Sequence, residues 1–300
     1  MKCLSKIFKR DVTELSLFVE DQKFLKILGD GIQKRENGHY EMPLPLRSEV
    51  HLLNNRPLAL KRPFLLKERF KGNPGYYKDC VKFMEKVIED CAEKRDDVAA
   101  GRIGRVYYVP HHGVYHPKNP DKIRVVFHCS ARYAGTSLNQ NLLQGPELTN
   151  SLVGVHCRFR QEAVAFSCTV ETVFDQLFVN EEDRDLLRFF WWENGDLDTS
   201  SVEYRMKVHL FGAASSPGCA NFGFKQAAND GEEEFGTEAA DFIRRNFYVD
   251  DRLKSLSTVS ATTRLIQNSQ AMCAKAGIRL HKFVSNTKDV LKAIPPETWI

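Results

Sequence analysis

The chain has 300 residues, 42% of them hydrophobic, and 43 Lys and Arg against 39 Asp and Glu give it a formal charge of +4. That length supports one large domain or two small ones with a sizeable core, and no apolar run approaches the roughly 18 residues that a membrane-crossing helix needs. Charge in Met1–Arg10 breaks any signal-peptide core, so a cytoplasmic or nuclear location is expected, and eight cysteines without a Cys-x-x-Cys pair fit reduced thiols rather than zinc.

Residues 1–50 read as a connecting region without a core: a short amphipathic stretch from Phe18 to Ile32, then Tyr40-Glu41-Met42-Pro43-Leu44-Pro45-Leu46, whose prolines favour extended backbone. Residues 51–300 hold the main domain. Its first feature is a basic run in which Arg56, Lys61, Arg62, Lys67, Arg69 and Lys71 face the single acid Glu68 and alternate with Leu58, Leu60, Phe64, Leu65, Leu66 and Phe70. Such a run reads equally as an amphipathic segment tracking phosphates and as a solvated face. A helix is predicted from Asn73-Pro74-Gly75, with Val81, Met84, Ile88 and Cys91 at helical spacing. Arg105 to Pro110 and Ile123 to Cys129 read as strands joined by the turn Pro117-Lys118-Asn119-Pro120-Asp121.

Ala163 to Val170 is a continuous apolar run of the length of a buried strand. Leu187 to Trp192 and Glu203 to Leu210 follow as strands around the turn Glu193-Asn194-Gly195-Asp196, with Phe189, Phe190, Trp191 and Trp192 read as core. Gly212 to Pro217 is a small-residue loop, and Cys219 to Ala228 a helix burying Phe222 and Ala227. Phe242-Ile243 and Phe247-Tyr248-Val249 are strand formers, and Leu253 resumes the apolar pattern after Asp250-Asp251, which sets the two acids at a hairpin tip. Thr258 to Ala276 reads as a helix ended by Gly277. The sum is an α+β fold.

Adjacent carboxylates after an apolar pair suit a hard cation such as Mg2+, which takes its remaining ligands from phosphates and water; a solvated acidic turn is the plainer alternative. His111, His112 and His116 with Cys129 make a poor zinc set, because adjacent histidines on a strand point to opposite faces.

Tyr248-Val249-Asp250-Asp251, preceded by Phe211 to Phe222 and by Lys122-Ile123-Arg124-Val125-Val126-Phe127, has the motif order of reverse transcriptases. Together with His111-His112-Gly113-Val114-Tyr115-His116-Pro117, Leu142-Leu143-Gln144-Gly145-Pro146, Phe189-Phe190-Trp191-Trp192 and Leu280-His281-Lys282-Phe283-Val284-Ser285-Asn286, it resembles the reverse transcriptase region of BEL/Pao-type LTR retrotransposon Pol polyproteins, from about Phe24 to about Pro296. The resemblance implies the fingers and palm of a right-hand polymerase, a piece of a polyprotein with no recognisable thumb or RNase H region. It also implies an RNA-directed DNA polymerase that uses two Mg2+ ions, an RNA or DNA template-primer and deoxynucleoside triphosphates.

Carried over residue by residue, the family's catalytic carboxylates fall on Asp250, Asp251 and Thr169. Threonine offers one neutral hydroxyl and cannot replace a carboxylate that bridges two dications. Glu171 would share the sheet face of Thr169 but about 6.6 Å away, two residue rises along a strand, and Asp175 lies beyond the strand. His128 stands where the family has Asp. The nucleotide-handling positions carry over as Lys122 and Arg124 for the triphosphate, Phe174 beneath the sugar, Gly212 and Ser216 in the loop that template and nucleotide approach, and Lys282 for the leaving group. Two of them also have a plain reading: a strand-surface cation for Arg124 and ordinary core for Phe174. The expectation is a catalytically impaired reverse transcriptase-like domain, with an inactive nucleic-acid-binding module as the alternative that Thr169 favours.

Overall fold

The structure, a computed structural model, describes residues 18–47, 52–95, 104–117, 119–148, 150–248 and 251–299. Helix α1 (Val19–Gly31) carries Glu20 and Asp21 in its first turn, where the helix dipole favours carboxylates, and buries Phe24 and Leu28. The short strands β1 (Gln33–Lys34) and β2 (Tyr40–Met42) pair antiparallel. Phe24, Leu28, Tyr40 and Met42 belong to one core with helices from the second half of the chain. The expectation of no core within residues 1–50 is therefore corrected: two apolar side chains four residues apart are enough to dock a helix on a large neighbour, although too few to stand out in sequence.

After a short helix α2 (Arg56–Ala59), the basic run becomes α3 (Lys61–Gly72). Asn73 caps α4 (Pro74–Cys91), its side-chain oxygen accepting the Tyr76 N–H at 3.0 Å, with Pro74 at the first helical position. This helix buries Tyr76, Cys80, Met84 and Cys91, while Val81 and Ile88 are partly buried. Strand β3 (Ala92–Lys94) continues from it. Next comes a hairpin of β4 (His111–His116) and β5 (Asn119–Phe127). Its first strand is not the predicted Arg105 to Pro110. That segment is extended and buried, but its N–H groups bond singly, Tyr107 to Asp185 O and Val109 to Arg188 O, so it joins a neighbour without forming a ladder. The hairpin lies on α4 because Gly113 permits it: a Cβ there would come within 2.6 Å of Cys80 Sγ and 2.9 Å of the Tyr76 ring. Tyr76 Oη locks the contact, donating to Gly113 O and accepting from Gly113 N.

Short helices α5 (Leu138–Asn141) and α6 (Leu152–Phe159) lead to strand β6 (Val164–Val170). Burial alternates along β6, with Val164, Phe166, Cys168 and Val170 inward. The continuous run thus covers one face only, since Ala165, Ser167 and Thr169 are small enough to line an open one. Strand β7 (Phe178–Val179) pairs parallel to β2. Strands β8 (Arg188–Trp191) and β9 (Val202–Met206) join β3 in a separate sheet of order β3-β9-β8, with the aromatic pairs of β8 buried as predicted.

Helix α7 (Ser216–Phe235) buries Ala227 as expected, and Phe224 rather than Phe222 fully. Phe242-Ile243 is not strand but part of α8 (Thr237–Arg245), where Ala239, Ala240, Phe242 and Ile243 share an inner face and Arg244 and Arg245 suit the C-terminal dipole. Strands β10 (Phe247–Tyr248) and β11 (Asp251–Leu256), helix α9 (Val259–Lys275), strand β12 (Leu280–Ser285) and helix α10 (Lys288–Lys292) complete the order. Thr258 caps α9 through Ala261 N, and Gly277 at φ 68° leads out of its end. The sheet β10-β11-β6-β12 is antiparallel throughout and is backed by α7, α8 and α9. The protein is mixed α+β with two main cores, one behind this sheet and one between α4, the hairpin and the β3-β9-β8 sheet.

Candidate active site and nucleic-acid interface

Strand β6 lies between β11 and β12, and the register sets Asp251 and His281 on either side of Thr169. Directly opposed residues of antiparallel strands project to one face, so Asp251, Thr169 and His281 form a row on the sheet's open side. Thr169 and Asp251 are thus on adjacent strands, and the apolar-then-acidic hairpin pattern holds through the pairing of Tyr248 with Asp251. Asp250, the other predicted metal ligand, lies outside the described residues.

Asp251 is exposed, while its neighbour Arg252 is fully buried over the rings of Phe224 and Phe247. Among the described residues no group of three or more His, Cys, Asp and Glu is disposed to hold a metal ion. Glu171 does not fill the gap: the strand ends at Val170, and Glu171 pairs with Arg279 at 3.0 Å. Asp175 sits in the 3-10 turn Val173–Gln176, where burial pushes its carboxyl above the usual range against the opposing pull of the Thr172 hydroxyl and Lys86. The described donors are one carboxylate and one hydroxyl, which do not make a two-metal set.

His281 was not among the residues singled out from sequence. Its imidazole pKa is lowered, first by burial, with Glu171 opposing and Lys282 and Arg279 reinforcing. Only strand register reveals it as a neighbour of Thr169. Lys282 is exposed on a bulge between His281 and Val284, at φ 53°. A left-handed lysine costs about 1 kcal/mol, and bulges of this kind re-aim side chains.

Phe174 packs partly buried against the sheet core and meets the exposed Phe211, with ring centroids 6.0 Å apart. Gly212, at φ 105°, passes so close to Phe127 that a Cβ would lie 3.0 Å from its carbonyl. Asn139, also unremarked in the sequence, ties this loop down by donating to Gly212 O at 3.0 Å and accepting from Ala214 N at 2.9 Å. Ser216 is fully buried as the first residue of α7 and donates to Leu210 O at 2.7 Å, which holds the loop.

Lys122 and Arg124 are exposed on the same face of β5. Lys122 lines a cavity of about 400 Å³ shared with Lys82, Lys86, Thr172 and Asp175, which brings the hairpin to the turn beyond β6. Within the basic run several charges are committed. Arg56 pairs with the buried Glu203 at 2.8 Å, Lys67 donates to Leu197 O, and Lys71 pairs with Glu68 at 2.8 Å. Arg62 and Arg69 instead line a groove of about 360 Å³ with His112 and His128. In comparisons with known proteins, no family model matches the chain and no curated protein matches it.

Proposed function

We propose that the chain is the fingers and palm of a reverse transcriptase-like domain, of the kind in BEL/Pao-type Pol polyproteins, with polymerase chemistry impaired by the absence of one metal-binding carboxylate. The observation that carries this reading is the register of Asp251 against Thr169 at the open face of an antiparallel sheet backed by helices. Two-metal phosphoryl transfer draws carboxylates from separate strands, and at this position the neighbouring strand offers a hydroxyl. The loop at Gly212 beside Phe174 and Phe211, and the cations Lys122 and Arg124, fit the handling of a nucleotide and its template. Retained binding surfaces beside a depleted metal site favour a nucleic-acid-binding remnant over a working polymerase.

Primer extension on a primed RNA template, with Mg2+ and deoxynucleoside triphosphates, tests the reading. The unmodified chain is expected to yield no product above background, and Thr169→Asp is required for any recovery. Equal extension by the unmodified chain and by Thr169→Asp overturns the assignment of Thr169 to the catalytic position.

A further inference from the structure

The groove between α3 and the β4–β5 hairpin has an unusual chemical lining. Arg62 and Arg69 project from α3, His112 from β4 and His128 from just beyond β5, with Leu65 and Pro110 between them. No carboxylate lines it among the described residues. Arg69 is held in place by its contact with the Tyr76 ring, 4.2 Å from guanidinium carbon to centroid. The His112 and His128 rings stack 4.6 Å apart. Two imidazoles in contact beside two guanidinium groups are an unfavourable arrangement for cations alone, and an anion relieves it.

We infer that this groove is a binding site for phosphate groups, gripped by Arg62 and Arg69 on one wall and by the His112–His128 pair on the other. It stands independently of whether the sheet site performs chemistry. Guanidinium groups supply paired donors suited to phosphate oxygens, and the apolar strip of Leu65 and Pro110 gives a base or sugar a surface to rest on. His112 adds a proton dependence. Burial and then the charges of His128, Arg69 and Arg62 hold it below its ordinary pKa, while desolvation pushes the neighbouring His111, partly buried at the groove wall, down to about 4. A bound anion opposes the field of these cations on His112, so binding takes up a proton there and tightens as pH falls.

The test is fluorescence anisotropy with a labelled single-stranded oligodeoxynucleotide, whose phosphodiesters do not titrate between pH 7.5 and 5.5, with inorganic sulfate as competitor. Affinity is expected to rise about tenfold across that range. His112→Asn should remove most of the rise, and His128→Asn, an exposed change, should weaken binding by removing a donor from the same wall. Arg62→Ala with Arg69→Ala should weaken binding at every pH and lower the salt-dependence slope by about 1.4 on this single-stranded probe. Competition by sulfate at millimolar concentration identifies an isolated anion site, and its failure identifies a tract that needs the continuous backbone; both support the inference. Unchanged affinity in the double arginine variant, or an unaltered pH dependence in His112→Asn, overturns it. The oligonucleotide affinities involve no primer extension, so failure here and failure of the polymerase reading are told apart by the two assays.

Discussion

Around α4 and the β3-β9-β8 sheet, charge is buried and paired: Arg188, fully buried, meets Glu203 at 3.3 Å and Asp185 at 3.1 Å, and Glu203 also accepts from Arg56 and Tyr108. Around the β10-β11-β6-β12 sheet, the exposed Asp251 faces a threonine across the strand pair. The first region shows what a charge needs in order to persist inside a protein, namely partners on several strands at once. The second has the strand geometry that would bring acids together, without their charge. Register there rests on the inward Val164, Phe166 and Cys168 and not on what the open face carries.

The largest expected effect breaks the paired side. Glu203→Ala leaves Arg188 buried without one of its two carboxylate partners and removes the acceptor of Arg56 and Tyr108, and should destabilise the protein by about 3–5 kcal/mol in denaturant unfolding; a loss under 1 kcal/mol would mean that the network is not what holds this half together.

A second effect comes from His209, almost fully buried, with neither ring nitrogen hydrogen-bonded, whose pKa burial lowers from 6.5 to about 4. The unfolded chain binds the proton more readily than the folded one between those values, so stability is full above pH 6.5 and is lost as pH falls toward 4. The loss attributable to His209 is on the order of 3 kcal/mol at the acid end. Unfolding curves from pH 7 to pH 4 should therefore slope less in His209→Phe than in the parent, and equal slopes would refute the assignment.

The smallest effect sharpens the other side. Lys282→Gly relieves a left-handed backbone at the β12 bulge, and the gain should be about 0.5–1 kcal/mol in thermal or denaturant unfolding. A loss of stability instead would show that the lysine side chain supports the bulge through contacts of its own.

Much of this arrangement was legible in the sequence, and the failures share a cause. Asn73-Pro74 announced α4, Thr258 and Gly277 bracketed α9, and the aromatic run at Phe189 to Trp192 lay in the core, because capping and burial are local signals. Phe242-Ile243 misled because strand propensity is weaker than the fit of Ala239, Ala240, Phe242 and Ile243 to one helical face. Arg105 to Pro110 misled because extended backbone does not announce its partner. Within the site, the motif order marked Thr169 and Asp251, while His281 and Asn139 become visible only through pairing and contacts distant in sequence. Ser216 read as part of a small-residue loop open to close approach, and its hydroxyl closes the turn onto Leu210, a contact that the sequence does not announce.

The central claim is that position 169 is a metal-ligand position emptied of its carboxylate. Isothermal titration of Mg2+ into the unmodified chain, Thr169→Asp, Thr169→Asn and the double variant Thr169→Asp with Asp251→Asn tests it most directly. The account predicts that Thr169→Asp tightens Mg2+ binding by at least about tenfold, that Thr169→Asn does not, and that removing Asp251 cancels the gain. Mg2+ binding as tight in the unmodified chain as in Thr169→Asp, or a gain that survives Asp251→Asn, would contradict it.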